Sequence, residues 1–258
     1  MLKTAGRWPP FFTADDGGPA RQAARFSGDS LAMPKTALIT GASRGIGREI
    51  ARQLVERGWL VIVTARDPQQ AASTAREIGA AMSAELDVID PASVERARAT
   101  VRERFDHLDG LVNNAGVAGE WGRSILDVPE EDIRRLLDTN TFGPLRVARA
   151  FWDLLEPGGR IVNISSGLGQ LGDPSAMSPA YGLSKTALNA VTVQLALAGK
   201  PAGIAVNSVC PGWVRTKLGG PTAPRDVSEG ADTPVWLIAE APPDLTGKLL
   251  KDRQEIPW

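Results

Sequence analysis

The chain has 258 residues, 43% of them hydrophobic and 23% charged, the balance of an ordinary globular protein. Its net charge of −1 gives no electrostatic footing for nucleic acid or a membrane surface, and no apolar run approaches the ~20 residues that span a bilayer. With one histidine and one cysteine, Cys210, a zinc or iron–sulfur site is not expected and an internal disulfide is excluded; the single thiol fits a reducing, cytoplasmic setting.

Residues 1–34 carry many Gly, Pro and Ala and no helical or strand period, so we expect a disordered tail. Met33 directly precedes the first regular segment, which makes a start there an alternative. A mitochondrial transit peptide is the lesser alternative: Arg7, Arg21 and Arg25 suit it, whereas Asp15, Asp16 and Asp29 oppose it.

From residue 35 to 258 we expect one domain. Strands are predicted at Thr36–Thr40, Leu60–Thr64, Met82–Asp87, Gly110–Asn113, Arg160–Ser165 and Ile204–Val209. Each is nearly continuous in apolar residues, as a strand covered on both faces should be. Helical spacing marks Gly45–Arg57, Pro68–Gly79, Pro91–Phe105, Glu130–Leu155 and Ala180–Leu197, with Pro91, Pro129 and Pro179 near helix starts. Alternating strand and helix predicts an α/β fold with a doubly wound parallel sheet of the Rossmann type.

The first strand runs into Thr40-Gly41-Ala42-Ser43-Arg44-Gly45-Ile46-Gly47 and a helix begins at once. Gly41 permits a tight turn, Gly45 a close backbone approach to a pyrophosphate, and Gly47 close packing of the helix. The helix N-terminus offers free N–H groups to phosphate oxygens. The second strand ends Thr64-Ala65-Arg66-Asp67, so arginine stands where an NAD-binding protein usually keeps a carboxylate for the ribose. Arg66 can hold a 2′-phosphate bidentately and Arg44 can approach it from the loop, which favours NADP(H) over NAD(H).

Tyr181 is the only tyrosine, and Lys185 follows it four positions later. That interval is just over one helical turn, so both side chains share a helix face. A phenol beside an ammonium is a candidate acid–base pair, and the positive charge should lower a phenol pKa that otherwise lies near ~10. Upstream, Ser165 and Ser166 are adjacent at a strand end and should point in opposite directions; on spacing alone either could face the pair. His107 and Cys210 read as a surface residue and a small packed side chain.

The ordered set Thr40–Gly47, Asp87-Val88, Asn113-Asn114-Ala115-Gly116, Asn140, Ile164-Ser165-Ser166, Tyr181-Gly182-Leu183-Ser184-Lys185 and Pro211-Gly212-Trp213-Val214-Arg215-Thr216 resembles the short-chain dehydrogenase/reductase superfamily over residues 35–216. The likeness is greatest to its NADPH-dependent carbonyl reductases, and Gly247 to Trp258 looks like their final strand and tail. The resemblance implies that Tyr181 acts as acid, that Lys185 tunes it and binds the nicotinamide ribose, and that Ser166 holds the substrate oxygen, with Ser165 as the alternative. It implies that the Asn140 backbone supports a water linked to Lys185. It assigns cofactor contacts to Gly41, Ser43, Arg44, Gly45, Ile46, Gly47, Arg66, Asp87, Val88, Asn113, Ala115, Gly116, Pro211, Gly212, Val214 and Thr216, as well as to Tyr181 and Lys185. The substrate would be a small carbonyl compound or alcohol. Pocket walls are expected from Glu120, Trp121, Leu168, Met177 and Trp213, whose apolar members suit a hydrophobic ketone, aldehyde or quinone, although Trp213 can equally be plain packing. The likeness leaves open a homodimer or homotetramer paired through the two long helices, or a monomer as in some carbonyl reductases. An NAD-linked alcohol dehydrogenase and a catalytically silent nucleotide sensor on the same scaffold are the rival readings.

Overall fold

The structure is a computed structural model and describes residues 33–258. The expected tail, apart from its last two residues, lies outside the described residues. Eight strands form one sheet: β1 (Thr36–Ile39), β2 (Leu60–Ala65), β3 (Met82–Glu85), β4 (Leu108–Asn113), β5 (Leu155–Ile164), β6 (Ala205–Val209), β7 (Leu249–Lys251) and β8 (Gln254–Ile256). Their order is β3-β2-β1-β4-β5-β6-β7-β8. All neighbours pair in parallel except β7 and β8, which form an antiparallel hairpin.

The continuous apolar strands follow from a core on each face. Side chains alternate, so Ala37 and Ile39 enter one core while Leu38 enters the other. In β2, Val61 and Val63 pair with the first set and Ile62 with the second. Helices α1 (Gly45–Glu56), α2 (Pro68–Ile78) and α7 (Val227–Ala239) cover the first face through Ile50, Leu54, Ala71 and Val235. Helices α3 (Pro91–Arg102), α5 (Gly143–Ala150) and α6 (Pro179–Gly199) cover the second through Val94, Val101, Val147 and Leu195. Burying one such side chain contributes about 1.5–3 kcal/mol, so both faces are strongly specified. The strand order reverses between β1 and β4, which opens a crevice beyond their carboxyl ends, where ligands of such sheets bind.

Three expectations need correction. The single helix expected over Glu130–Leu155 is instead α4 (Glu130–Leu137), a π-helical turn at Asp138–Phe142, α5 and a 3₁₀ turn at Trp152–Leu154. Pro144 has no N–H to give the Asn140 carbonyl, and the chain widens so that Gly143 donates to Asp138 five residues back. Leu155 itself starts β5, so that strand begins well before Arg160. Helix α7 was not expected from periodicity, because Gly230 and Pro234 interrupt its pattern. It is set by a capping box in which Asp226 accepts from Ser228 and Glu229 while the Glu229 carboxylate accepts from the Asp226 N–H.

Candidate active site

A cleft of about 1630 Å³ runs along the carboxyl ends of the central strands. At one end lies the loop between β1 and α1. Gly41 has φ +63°, and a Cβ there would stand 2.9 Å from the Ala115 Cα, so this turn packs directly on the segment after β4. At Gly47 a Cβ would run into the Asn114 amide. That amide donates to the Thr40 carbonyl at 2.9 Å and the Gly41 carbonyl at 3.0 Å, while the Thr40 hydroxyl accepts from the Asn114 and Ala115 N–H groups. Asn114 is thus a residue the sequence reading passed over, although it lies inside the Asn-Asn-Ala-Gly motif. Its neighbour Asn113 does not reach the cleft: it is buried in the sheet and donates to the Asn163 side chain at 2.9 Å. Gly47 likewise stays behind the lining, whereas Gly41, Ser43, Arg44, Gly45 and Ile46 face it.

The first turn of α1 has no side-chain cap, since its N-cap residue Arg44 is extended and makes no capping bond. Its N–H groups are therefore available to an anion. Arg44 and Arg66 are exposed, line the cleft, and have no acidic partner among the described residues. Asp67 also lines it, but its carboxylate caps α2, accepting from Gln69 N–H at 2.9 Å and from Gln70 N–H at 3.3 Å. Those backbone bonds, Gln70 first, hold its carboxyl below the ordinary range. The acid nearest the expected ribose position is thus already engaged, and the two cations are not. Asp87 and Val88 follow β3 and line the same end. The Asp87 N–H donates to the Ser93 hydroxyl at 3.0 Å, and Arg146 donates to the Val88 carbonyl.

At the other end, β5 and α6 bring Ser166, Tyr181 and Lys185 together, with Ala115 and Gly116 opposite. The two serines diverge. The Ser165 hydroxyl points into the protein and donates to the Asn189 side chain at 2.7 Å. The Ser166 hydroxyl accepts from the Leu168 N–H at 3.2 Å and lies on the cleft side, beside the Tyr181 phenol. The Lys185 ammonium lies 5.6 Å from the Tyr181 ring centre and donates to the Ile164 carbonyl at 2.8 Å.

The expectation that Lys185 lowers the Tyr181 pKa does not hold in this structure. Burial pushes the phenol up to about 12, the Ser166 hydrogen bond pulls the other way, and Cys210 adds to the rise. Burial also drags the Lys185 ammonium down to about 8. A charge argument from helical spacing omits desolvation, which here penalises both charged forms. Cys210 is buried as expected, but it also belongs to the site, with its sulfur accepting from the Gly167 N–H at 3.0 Å.

Asn140 sits behind the cleft in the π turn. Its side chain accepts from the Val117 N–H and donates to the Val117 carbonyl, both at 2.9 Å, and donates to Ser184 at 3.0 Å. Its backbone carbonyl lacks the usual helical donor because of Pro144. The rim carries Leu168 and the half-exposed Trp121, Met177 and Trp213. Glu120 is outside the lining, but its carbonyl accepts from the Ser178 hydroxyl at 2.8 Å, and Gly122 N–H donates to the Met177 carbonyl at 2.8 Å. The Trp213 indole donates to the Gly219 carbonyl at 2.7 Å. Pro211, Gly212, Val214 and Thr216 complete that wall. Among the described residues no three His, Cys, Asp or Glu side chains cluster as metal ligands, and no helix is long and apolar enough to cross a membrane.

Fold and cleft together define a Rossmann-type α/β protein with a Ser, Tyr and Lys cluster at its sheet end. The family model for short chain dehydrogenases matches residues 35–226. NADPH carbonyl reductase 3 of Mus musculus is 32% identical, with 87% of this chain and 98% of that protein covered. The (+)-neomenthol dehydrogenase of Arabidopsis thaliana is 30% identical over 79% of this chain and 91% of its own. Among solved structures, the carbonyl reductase Sniffer of D. melanogaster superposes with a TM-score of 0.80 at 28% identity, covering 87% of this chain and all of that one. NADPH-bound carbonyl reductase from chicken fatty liver gives 0.79 at 29% identity, with 87% and 99% covered. The chain belongs to the short-chain dehydrogenase family, as a carbonyl reductase-like member.

Proposed function

We propose that the protein is an NADP(H)-dependent reductase of ketones, aldehydes or quinones. The observation that carries this reading is that one cleft holds both chemistries: Arg44 and Arg66, without an acidic partner among the described residues, at one end, and Ser166, Tyr181 and Lys185 at the other. The residues fit a phosphorylated dinucleotide. The uncapped start of α1 and the Gly41–Ile46 backbone would hold the pyrophosphate, and Arg44 and Arg66 the 2′-phosphate. Asp87 and Val88 would border the adenine. Ala115 and Gly116 would lie along the ribose, and Pro211, Gly212, Val214 and Thr216 beside the nicotinamide. Similar structures with NADPH or NADP bound support the choice of cofactor.

When bound, that cofactor supplies the hydride. The chain's own task is to place the carbonyl and to manage one proton. The Ser166 hydroxyl hydrogen-bonds the substrate oxygen and stabilises the charge growing there. Tyr181, with a phenol at about 12, is fully protonated near neutral pH and delivers its proton to that oxygen. The carbonyl carbon thus gains hydride, the oxygen gains the phenol proton, and a phenolate remains. Lys185, with a pKa of about 8, keeps a proton and a positive charge close by to stabilise and restore the phenol. The Asn140 carbonyl, which Pro144 deprives of its donor four residues on, would accept a water that refills Lys185 with protons. Apolar Trp121, Leu168, Met177 and Trp213 favour a hydrophobic substrate in a broad mouth.

The test is NADPH consumption with aromatic aldehydes, ketones and quinones, run beside NADH. Turnover with NADPH preferred supports the reading. Preferred NADH with alcohol oxidation identifies the dehydrogenase alternative, and nucleotide binding without turnover on any carbonyl identifies a silent sensor.

A further inference from the structure

The wall from Pro211 to Thr216 leaves β6 as a loop, and one arginine far along that loop touches it at three levels. The Arg225 N–H donates to the Trp213 carbonyl at 3.2 Å, and the Arg225 carbonyl accepts from the Arg215 N–H at 2.8 Å. Val214 and Arg225 form an isolated bridge. The Arg225 side chain then folds beneath Gly212. A Cβ on Gly212 would stand 2.7 Å from the Arg225 Cδ and 3.0 Å from its Nη1, so the guanidinium and the Gly212 backbone are in direct packing contact. The Arg225 Nε is buried there with no hydrogen-bond partner among the described residues.

The strongest hold on the guanidinium is remote in sequence. Its Nη2 donates to Asp252 at 2.6 Å and, more weakly, to the Glu229 carbonyl in the first turn of α7 at 3.3 Å. Asp252 stands in the β7–β8 turn, where both Asp252 and Arg253 have positive φ. That turn is fastened to α7, because the Arg253 N–H donates to Thr233 at 3.1 Å and its guanidinium pairs with Asp232. A chain of contacts thus leads from α7 through the hairpin turn and Arg225 to the wall that faces Tyr181 and Ser166.

We infer that Arg225, oriented by Asp252, is a positioning residue that fixes the Gly212–Arg215 wall of the cleft and thereby its hold on the nicotinamide half of the cofactor. The second clause rests on the reductase reading; the first does not.

Hydrogen–deuterium exchange on the ligand-free protein tests the first, and NADPH titration with steady-state kinetics tests the second. The variants are Arg225→Ala, Arg225→Lys, Asp252→Asn, which tolerates the left-handed backbone, and the Arg225→Ala/Asp252→Asn double. Lys248→Gln, which breaks the hairpin's ion pair with Glu255, is the control. Arg225→Ala should speed exchange across residues 212–220 and raise the NADPH Kd and KM about three- to ten-fold, the size of couplings between residues in contact, with kcat changed less. Asp252→Asn should act in the same direction, Arg225→Lys should recover most of the loss, and the double variant should be no worse than Arg225→Ala. Lys248→Gln should move neither readout. Unchanged exchange in both Arg225→Ala and Asp252→Asn overturns the inference, whatever the cofactor. So does a double variant whose losses add, or altered exchange with an unaltered NADPH Kd. If Arg225→Ala does not fold, Asp252→Asn against Arg225→Lys decides. Wild-type protein that binds no NADPH sinks the reductase reading instead, and the exchange comparison still tests the Arg225 contact.

Discussion

Lys185→Met should make the protein more stable and nearly inactive. Lys185 is buried, and its pKa falls from the ordinary 10.5 to about 8 through desolvation. At 1.36 kcal/mol per pH unit, holding that ammonium inside costs about 3 kcal/mol at neutral pH. Methionine has similar length and no charge, so it removes this cost. It also leaves the Ile164 carbonyl without its donor, a loss of about 1 kcal/mol. The net gain is about 2 kcal/mol, which raises Tm by about 4–8 °C for a domain of this size. The pH dependence has a definite sign. Between about 8 and 10.5 the unfolded chain keeps a proton on this lysine that the folded protein has lost, so wild-type stability rises with pH across that window. The gap between variant and wild type should therefore be widest near pH 7 and shrink toward pH 10. Carbonyl reduction should fall about 10²–10⁴-fold, since the proton donor loses its partner. Calorimetry at pH 7 and 9.5 with parallel assays would check it. A variant less stable than wild type at pH 7, or a gap that widens with pH, refutes the reasoning.

Tyr181→Phe removes the only phenol in the chain, so NADPH-dependent turnover should fall about 10²–10⁴-fold with cofactor affinity nearly intact; retained turnover excludes tyrosine as the acid. Ser166→Ala should depress kcat about 10²–10³-fold, as loss of an oxyanion donor does, with little change in Tm. Ser165→Ala should instead cost about 1–3 kcal/mol of stability, because the buried Asn189 Oδ1 loses its donor; the reverse pattern, read by kinetics and melting together, exchanges their roles. Arg66→Ala should weaken NADPH about 10- to 100-fold, the worth of charged hydrogen bonds to a 2′-phosphate, and leave NADH binding unchanged. Equal weakening of both nucleotides in a titration would remove Arg66 from that role.

The parts of the fold legible in the sequence are those with a local period. Ala37-Leu38-Ile39 reads as a doubly covered strand because its neighbours alternate between two cores, and Asp90-Pro91 reads as a helix start because cap and proline are adjacent. Where one residue overrides its neighbours, periodicity fails. Pro144 opens the π turn at Asn140 inside an otherwise unbroken helical pattern, and Gly230 with Pro234 hides α7 although its Asp226/Glu229 capping box is visible in the chain. The motif around Asn113 was legible as a cleft border. That Asn114 faces the loop while Asn113 turns into the sheet follows from the pleat and from the Asn163 side chain one strand away.

By itself, then, the sequence determined the alternation of strand and helix through β6, the glycine loop, the arginine at the end of β2 and the one-turn interval from Tyr181 to Lys185, all of which depend on residues close along the chain. Only the tertiary structure decided that Asp67 is occupied as a cap while Arg66 has no acidic partner among the described residues, that Ser166 rather than Ser165 faces the phenol, and that burial is the leading influence on both Tyr181 and Lys185. Those outcomes turn on solvent exclusion and on partners that the fold brings in from other elements, such as Asn189 against Ser165 and Ile164 against Lys185, and distance along the chain carries no record of either.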